Sequence, residues 1–413
     1  MIRKLAAWFE PERNFLAAWL GLAFLLRLAF ALKTGAAGLS PDAYDWVNTA
    51  WSVATGQGFG GSWRPPGYAF YLAGIFLVFG KSVMIAKAAN AALGAATVWA
   101  VYLAARDLFT PRSARIAAAL LSFYPYLIAY SGDLLSETFL TFILAVSVLA
   151  IVRAGLRPSW KTAAAAGAAM GLTALTKSTV LPFFLLACAW IWWRSGSFRA
   201  GFLAGVFTLL TIAPWTLRNY YHYDKSYVMP VNTPWYSLYG GACDEAMVPE
   251  SLPELDSPPT DAMFAPAIPK DWDYVSKLPL PERDKYCKEK ALSWIKNNPE
   301  KFRTLLWGRF KHFWHLYPVM AWPWQKRAAL FTSGVYIPLC ALGFAAGWRR
   351  WRDTSLLLAL LASYTAVHLF FTVTLRYRVP IDPYVIIMAA FALDLAMNKL
   401  RPAPGAAAKD QKS

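Results

Sequence analysis

Charge is scarce in this chain. Of 413 residues, 16% are Asp, Glu, Lys or Arg, where a soluble domain carries about 25%. With 57% hydrophobic residues, that shortfall excludes a disordered chain and an ordinary cytosolic enzyme. Cysteine is scarcer still: Cys188 and Cys340 lie in apolar runs, Cys243 and Cys287 in a polar segment. Without a CxxC or a Cys/His cluster, a disulfide-rich secreted module is excluded and a structural zinc site is not expected. Acids are the minority sign, 24 against 41 bases, giving a net charge of +17. No nucleic-acid-binding module organises those bases, so nucleic acid is not an expected partner. What the chain does have is aromatic and apolar: Trp 20, Tyr 20, Phe 26, the usage of residues that gather where lipid meets water. The expected class is an all-α, polytopic integral membrane protein.

Lipid cannot satisfy backbone polar groups, so spans must be helices of roughly 20 apolar residues. Ten runs qualify, at about 14–32, 83–105, 114–131, 135–153, 162–176, 178–193, 199–216, 328–347, 354–373 and 381–398. The fifth and sixth are short and are separated only around Lys177. No small-residue cleavage site follows the first, which is therefore read as a span and not as a removed signal. Gly167 and Gly171 read as a helix-packing notch. With the N-terminus inside, the short inner loops hold eleven basic residues, while the short outer loops and the outer segment 33–82 together hold six. That asymmetry sets the expected orientation in an inner (plasma) membrane. Residues 1–239 would then form a transmembrane catalytic module with a first outer loop at 33–82. Residues 240–327 would form a large outer loop, 328–398 the last spans and 399–413 an inner disordered tail. In the first outer loop, Tyr68 to Phe79 is apolar but too short to span, and is expected at the interface. In the second, Phe302, Leu305, Leu306, Phe310 and Phe313 recur at helical spacing between basic residues, as in a helix lying on the membrane. Cys243 and Cys287 share that loop, and either a disulfide or two thiols fits.

Ionisable residues then fall at the outer ends of spans: Asp42, Asp45, Asp133, Glu137, Lys177, Arg218, Arg376 and Arg378. At such depth charges line a polar cavity or pair with one another; alternatively they snorkel into headgroups. Together they supply carboxylates and fixed cations at one level, which is what an anionic lipid-linked substrate requires. Arg64 can bind phosphate, although Pro65, Pro66 and Gly67 mark a turn first. Tyr220 can stack on a sugar, although belt aromatics are commoner. Arg27, inside the first span, faces the cavity or pairs with a neighbouring helix. Asp394 is expected to reach the inner headgroups.

Several short motifs recur in order along the chain. They are Asp42 with Trp46 four residues on, RPPGY at 64–68, YPYLIAYSGDLLSE at 124–137, LTKST at 175–179, PWTLRNY at 214–220 and RYRVP at 376–380. In these the chain resembles the GT-C glycosyltransferases, in the branch of the protein O-mannosyltransferases and the bacterial aminoarabinose transferase of lipid A. The resemblance runs over about 14–395 and is weakest in 240–300. It implies a GT-C-type bundle of about ten transmembrane helices with outer-facing amphipathic loop helices. It also implies transfer of one sugar from a polyprenyl-phosphate donor to a glycan, lipid or protein acceptor on the periplasmic face. By the same resemblance Asp42 is the base or orienter for the acceptor and Asp45 its fallback, because Ala43 stands where the family often has a second acid. Glu137, with Asp133 as rival, takes the acidic position at the entry to the fourth span. Lys177, Arg218 and Arg376 face the lipid phosphate, with Arg378 next in line.

The residue types suit that chemistry. A prenyl chain stays in the bilayer, so its phosphate meets the protein only near the interface. The leaving phosphate gathers negative charge as the C1–O bond breaks, and preorganised cations stabilise it. The acceptor hydroxyl loses a proton, which a carboxylate within hydrogen-bond reach can take. With base and phosphate on opposite sides of C1, the displacement inverts the anomeric configuration. No cofactor is called for, no metal ligand is assigned, and the need for a divalent metal is left open. The rival readings are an O-antigen-ligase-like enzyme using a lipid diphosphate donor and a transporter or flippase of lipid-linked sugars. Transporters place their charges near the midplane, often on paired broken helices, whereas here they cluster at span ends and no internal repeat is found.

Overall fold

The computed structural model describes residues 12–37, 39–61, 64–223, 225, 230–246, 269–316, 323–371 and 373–399. Arg3, Lys4, the acids Glu250, Glu254, Asp256 and Asp261, and nearly all of the C-terminal tail lie outside them. Among the described residues the architecture is entirely helical. The main helices are α1 (Glu12–Thr34), α2 (Pro41–Ala54), α3 (Gly67–Phe79), α4 (Val83–Leu108), α5 (Pro111–Ser122), α6 (Pro125–Ser131), α7 (Ser136–Leu156) and α8 (Trp160–Thr176). They continue as α9 (Leu181–Ser195), α10 (Phe198–His222), α11 (Trp235–Gly241), α12 (Leu280–Asn297), α13 (Pro299–Phe313), α14 (Pro323–Ala346), α15 (Trp351–Phe370) and α16 (Asp382–Lys399).

Each of the ten apolar runs is helical, and seven helices are long and apolar enough to cross a membrane: α1, α4, α7, α10 and, with slightly different limits, α14, α15 and α16. The chain is a multi-pass membrane protein. The third run is a correction: it is two helices, α5 and α6, because Pro125 has no N–H for a continuing helix and biases Tyr124 to extended backbone. The carbonyls freed at the end of α5 are met by Arg27, which donates from Nη2 to Leu121 O and from Nη1 to Ser122 O, each at 3.2 Å. That settles the open reading of Arg27 in favour of a neighbouring helix. The 17 residues of α8 rise about 26 Å, near the thickness of the hydrocarbon core.

The notch on α8 is real. A Cβ on Gly167 would stand 2.4 Å from Ala204 O, and one on Gly171 would stand 2.5 Å from Thr211 Cβ, so only glycine lets α8 lie this close to α10. At the centre of the bundle is α16, with 78% of its apolar window buried against 17% for α1. Asp394 corrects an expectation: it is buried and accepts from Thr110 and Ser113 at the start of α5, at 2.5 and 2.8 Å.

Loop helices gather at the end of the bundle that holds α2, α3 and α11 to α13. The predicted helix after Pro299 forms, burying Phe302, Leu305 and Phe313 and leaving Trp307 and Phe310 exposed. Arg309 ties it down by donating to Leu369 O at 2.9 Å and to Gly241 O. Cys243 and Cys287 share one buried cluster as two free thiols, which burial pushes up to about 11.

Candidate active site

The site assembles from four stretches far apart in sequence. Proline at the first position starts α2, and Asp42 and Asp45, three residues apart, share its face. Arg64 reaches both, from Nη2 to Asp42 Oδ1 at 3.0 Å and to Asp45 Oδ2 at 3.1 Å, with its guanidinium 4.7 Å from the Trp46 ring centre. The prolines after Arg64 lead into α3. There a Cβ on Gly67 would stand 2.6 Å from Thr176 Oγ1 and 3.0 Å from Leu175 O. RPPGY and LTKST are thus two halves of one contact.

Glu137 lies in the first turn of α7, favourable for an anion. Its side chain is 1% exposed, and Oε1 accepts from Arg376 Nε at 2.6 Å. Arg376 also donates from Nη1 to Asp42 Oδ2 at 2.7 Å. It stands on the turn Leu375–Arg378, which Thr374 caps through the Tyr377 N–H. Arg376 therefore bridges a sealed acid and an open one, since the Asp42 side chain is 44% exposed. Burial works against the Asp42 carboxylate, but hydrogen bonds and charge from Arg376 and Arg64 outweigh it and hold its pKa below the ordinary value. Lys177, in extended backbone, ends α8. Its ammonium lies 4.0 Å from the Tyr377 ring centre and within electrostatic reach of Glu137, Arg376 and Asp42. Among the described residues no hydrogen bond or ion pair engages it.

Asp42, Asp45, Arg64, Glu137, Lys177 and Arg376 are thus together, and four other candidates are elsewhere. Asp133 turns Oδ1 to the Leu134 N–H at 2.8 Å and makes no ion pair among the described residues. Arg378 points away into a separate buried cluster, pairing with Asp382 at 3.1 Å. Arg218 donates to Gly60 O at 2.7 Å, with its guanidinium 4.9 Å from the Trp215 ring centre. It edges a cleft of ≈ 410 Å³ whose walls, among them Phe70, Phe139, Leu172 and Trp215, are mostly apolar. Tyr220 packs against Tyr221 and not against the acids. Tyr364, His368 and Thr179, none of them a candidate from the sequence, have buried polar atoms, and His368 lies within electrostatic reach of Lys177. A histidine inside an apolar run was the available signal. Lys87, likewise no candidate from the sequence, is buried in α4 and donates to Gly35 O at 2.6 Å. Among the described residues no three His, Cys, Asp or Glu side chains converge as metal ligands would.

Residues 63–217 match the dolichyl-phosphate-mannose-protein mannosyltransferase family. No curated protein matches the chain. Among solved structures, ArnT from Cupriavidus metallidurans bound to undecaprenyl phosphate is similar at 17% identity and a TM-score of 0.54, over 96% of this chain and 61% of that one. The archaeal oligosaccharyltransferase AglB from Archaeoglobus fulgidus, in complex with an inhibitory peptide and a dolichol-phosphate, is similar at 13% identity and a TM-score of 0.57. There the coverage is 95% of this chain and 51% of that one. The chain thus spans about three fifths and one half of these neighbours. It has the all-helical membrane fold of these neighbours, and its residues 63–217 match the dolichyl-phosphate-mannose-protein mannosyltransferase family.

Proposed function

We propose that this protein transfers a sugar from a polyprenyl-phosphate donor to a hydroxyl acceptor, at the membrane face where α2 and α3 lie. The observation that carries this is one half-exposed carboxylate, Asp42, tied through Arg376 to a sealed one, with an ammonium beside them. Asp42 is the group an acceptor can reach, and its lowered pKa keeps it ionised and able to take the hydroxyl proton. Glu137 is closed to substrate. It anchors Arg376, so its role is positioning. Lys177 and the remaining Arg376 nitrogen, Nη2, supply the positive charge that stabilises the leaving phosphate as the C1–O bond breaks. The apolar cleft below Arg218 suits the first isoprene units. In a single displacement the acceptor attacks C1 on the face opposite the leaving phosphate, so the product is inverted; a product that keeps the donor's configuration would overturn the single displacement. The basic residues of the short loops at the other end of the bundle support an extracytoplasmic site, on the periplasmic side of an inner membrane.

The test is mass spectrometry of membrane lipids and glycans from cells with the gene, without it, and with Asp42→Asn. The expected result is one sugar missing from one acceptor in both defective strains. Unchanged profiles would refute the assignment. Purified protein supplied with monophosphate and diphosphate donors then separates this reading from the ligase-like one.

A further inference from the structure

At the end of the bundle opposite Asp42, the start of α5 and the close of α16 enclose a second hollow of ≈ 470 Å³, lined by Thr110, Arg112, Arg115, Asp394 and Asn398. Its floor is complete. Asp394 Oδ2 accepts the hydroxyls of Thr110 and Ser113, and Oδ1 accepts Asn398 Nδ2 at 3.5 Å with Arg112 Nε 3.6 Å away. Arg112 Nη1 donates to Asn398 Oδ1 at 3.0 Å. The rim is incomplete. Arg115 Nε is sealed without a hydrogen-bond partner, and among the described residues no hydrogen bond or ion pair engages any part of that guanidinium. It is still held in place, 5.7 Å from the ring centre of Phe15 on α1. Neither nearby acid claims it: Glu12 pairs with Arg106 at 2.6 Å, and Asp394 faces Arg112. With Arg106 set against Glu12 and Arg112 against Asp394, Arg115 leaves the hollow one positive charge in excess. A sealed N–H left unmet costs stability.

We propose that this hollow binds the phosphodiester of an acidic phospholipid, with the Arg115 guanidinium as its main anchor and Arg112 Nη2 as the second. The planar fork of arginine matches phosphate oxygens, and a phosphodiester carries one negative charge, the amount that Arg115 leaves unbalanced. The surroundings favour a lipid over a soluble anion. Only 17% of the apolar window of α1 is buried, so the helix that carries Phe15 offers a lipid-facing wall for an acyl chain beside the arginine. Met397, next to Asn398, is 44% exposed. Basic pockets between spanning helices at the positively charged end are where acidic headgroups are held. The proposal is independent of the donor reading, because the hollow lies at the other end of the bundle from Asp42 and Lys177.

Full-length protein in phosphatidylcholine nanodiscs doped with phosphatidylglycerol is released for native mass spectrometry, and the lipids retained per protein are counted. Wild-type protein should retain one phosphatidylglycerol in preference to phosphatidylcholine, whose choline cancels the phosphate charge. Arg115→Gln, which breaks no ion pair, should weaken that retention about tenfold, in line with loss of a hydrogen bond to a charged group. Arg115→Lys keeps the charge without the fork and should recover part of it. Arg157→Gln, at an exposed residue of another basic loop at the same end, should change nothing. Wild-type retention in Arg115→Gln would overturn the site. An equal loss in Arg157→Gln would also overturn it, by showing that the basic end attracts acidic lipid diffusely. Displacement of the lipid by millimolar glycerol phosphate would overturn the lipid assignment in favour of a soluble anion.

Discussion

Arg376 and Arg378 are two residues apart, each pairs with carboxylates, and they do opposite things. Arg378 is 1% exposed and fully spent: Nε on Asp382, Nη2 on Ser333 Oγ at 2.6 Å, and Nη1 on the carbonyls of Phe313 and His315. Asp382 also accepts the Tyr124 hydroxyl at 2.6 Å. This cluster locks the start of α16 to α6, α13 and α14 and has no opening to water. Arg376 is spent on one side only, and its second carboxylate, Asp42, looks outward. The difference teaches where to look for chemistry in a membrane protein. A buried ion pair with every bond used is scaffold, whereas one with an open acid and an idle cation beside it can act.

Exchanging the roles should separate them most sharply at Asp42. Asp42→Asn keeps an acceptor for Arg376 and Arg64 but removes the base, so transfer should fall by about 10² to 10⁴-fold with the unfolding midpoint nearly unmoved. Single-turnover transfer and a thermal melt of the purified protein check both halves. Near-normal transfer would remove Asp42 from the mechanism.

The mirror result is expected at the other cluster. Asp382→Asn strands a buried guanidinium, a loss of about 3–5 kcal/mol. The melt should therefore fall steeply while the surviving folded protein transfers sugar at the wild-type rate. If transfer per folded molecule collapsed as well, the two clusters would not be independent.

How much of this was legible beforehand can be argued from the same pair. Hydropathy located the helices, and charged residues at span ends located the level of the site. What sequence could not supply was rotation. Two positions on a helical turn differ by about 200°, so one arginine of RYR had to face away from the other, and nothing before Thr374 fixes which. Asp133 and Glu137 pose the same problem. The helix begins at Ser136, so Glu137 is aimed by α7, while Asp133 in the preceding turn bonds its own backbone. Pairings such as Asp42 with Arg376, 334 residues apart, exist only once the bundle is assembled. By contrast RPPGY and LTKST were visible as motifs, but their mutual contact was not.

That contact gives a weaker test of the working side. Gly67→Ala forces a Cβ to within 2.6 Å of Thr176 Oγ1 and 3.0 Å of a carbonyl. Overpacking of this kind costs about 1–3 kcal/mol. Because Lys177 follows Thr176 directly, the expected signature is a raised KM for the donor together with a modestly lowered melt. A lowered melt with donor KM unchanged would mean that α3 supports the fold without placing Lys177.

The smallest effect is electrostatic and belongs to Asp42 alone. Its pKa is held below the ordinary value because Arg376 and Arg64 outweigh the burial that opposes them. A carboxylate with a depressed folded value contributes stability that is present above its unfolded pKa, near 4, and is lost as pH falls through the folded value. Base activity follows the same curve, so the acid limb of the transfer rate should lie below the usual carboxylate range. Arg64→Gln removes one of the two stabilising cations and should move that limb upward by a fraction of a unit. The move is small because Asp42 is 44% exposed and solvent screens it. Arg378→Gln, acting in the sealed cluster, should not move the limb at all. Single-turnover rates measured across the acid range at fixed ionic strength decide the matter, and a limb that stayed put in Arg64→Gln would leave Arg376 as the only cation tuning the base.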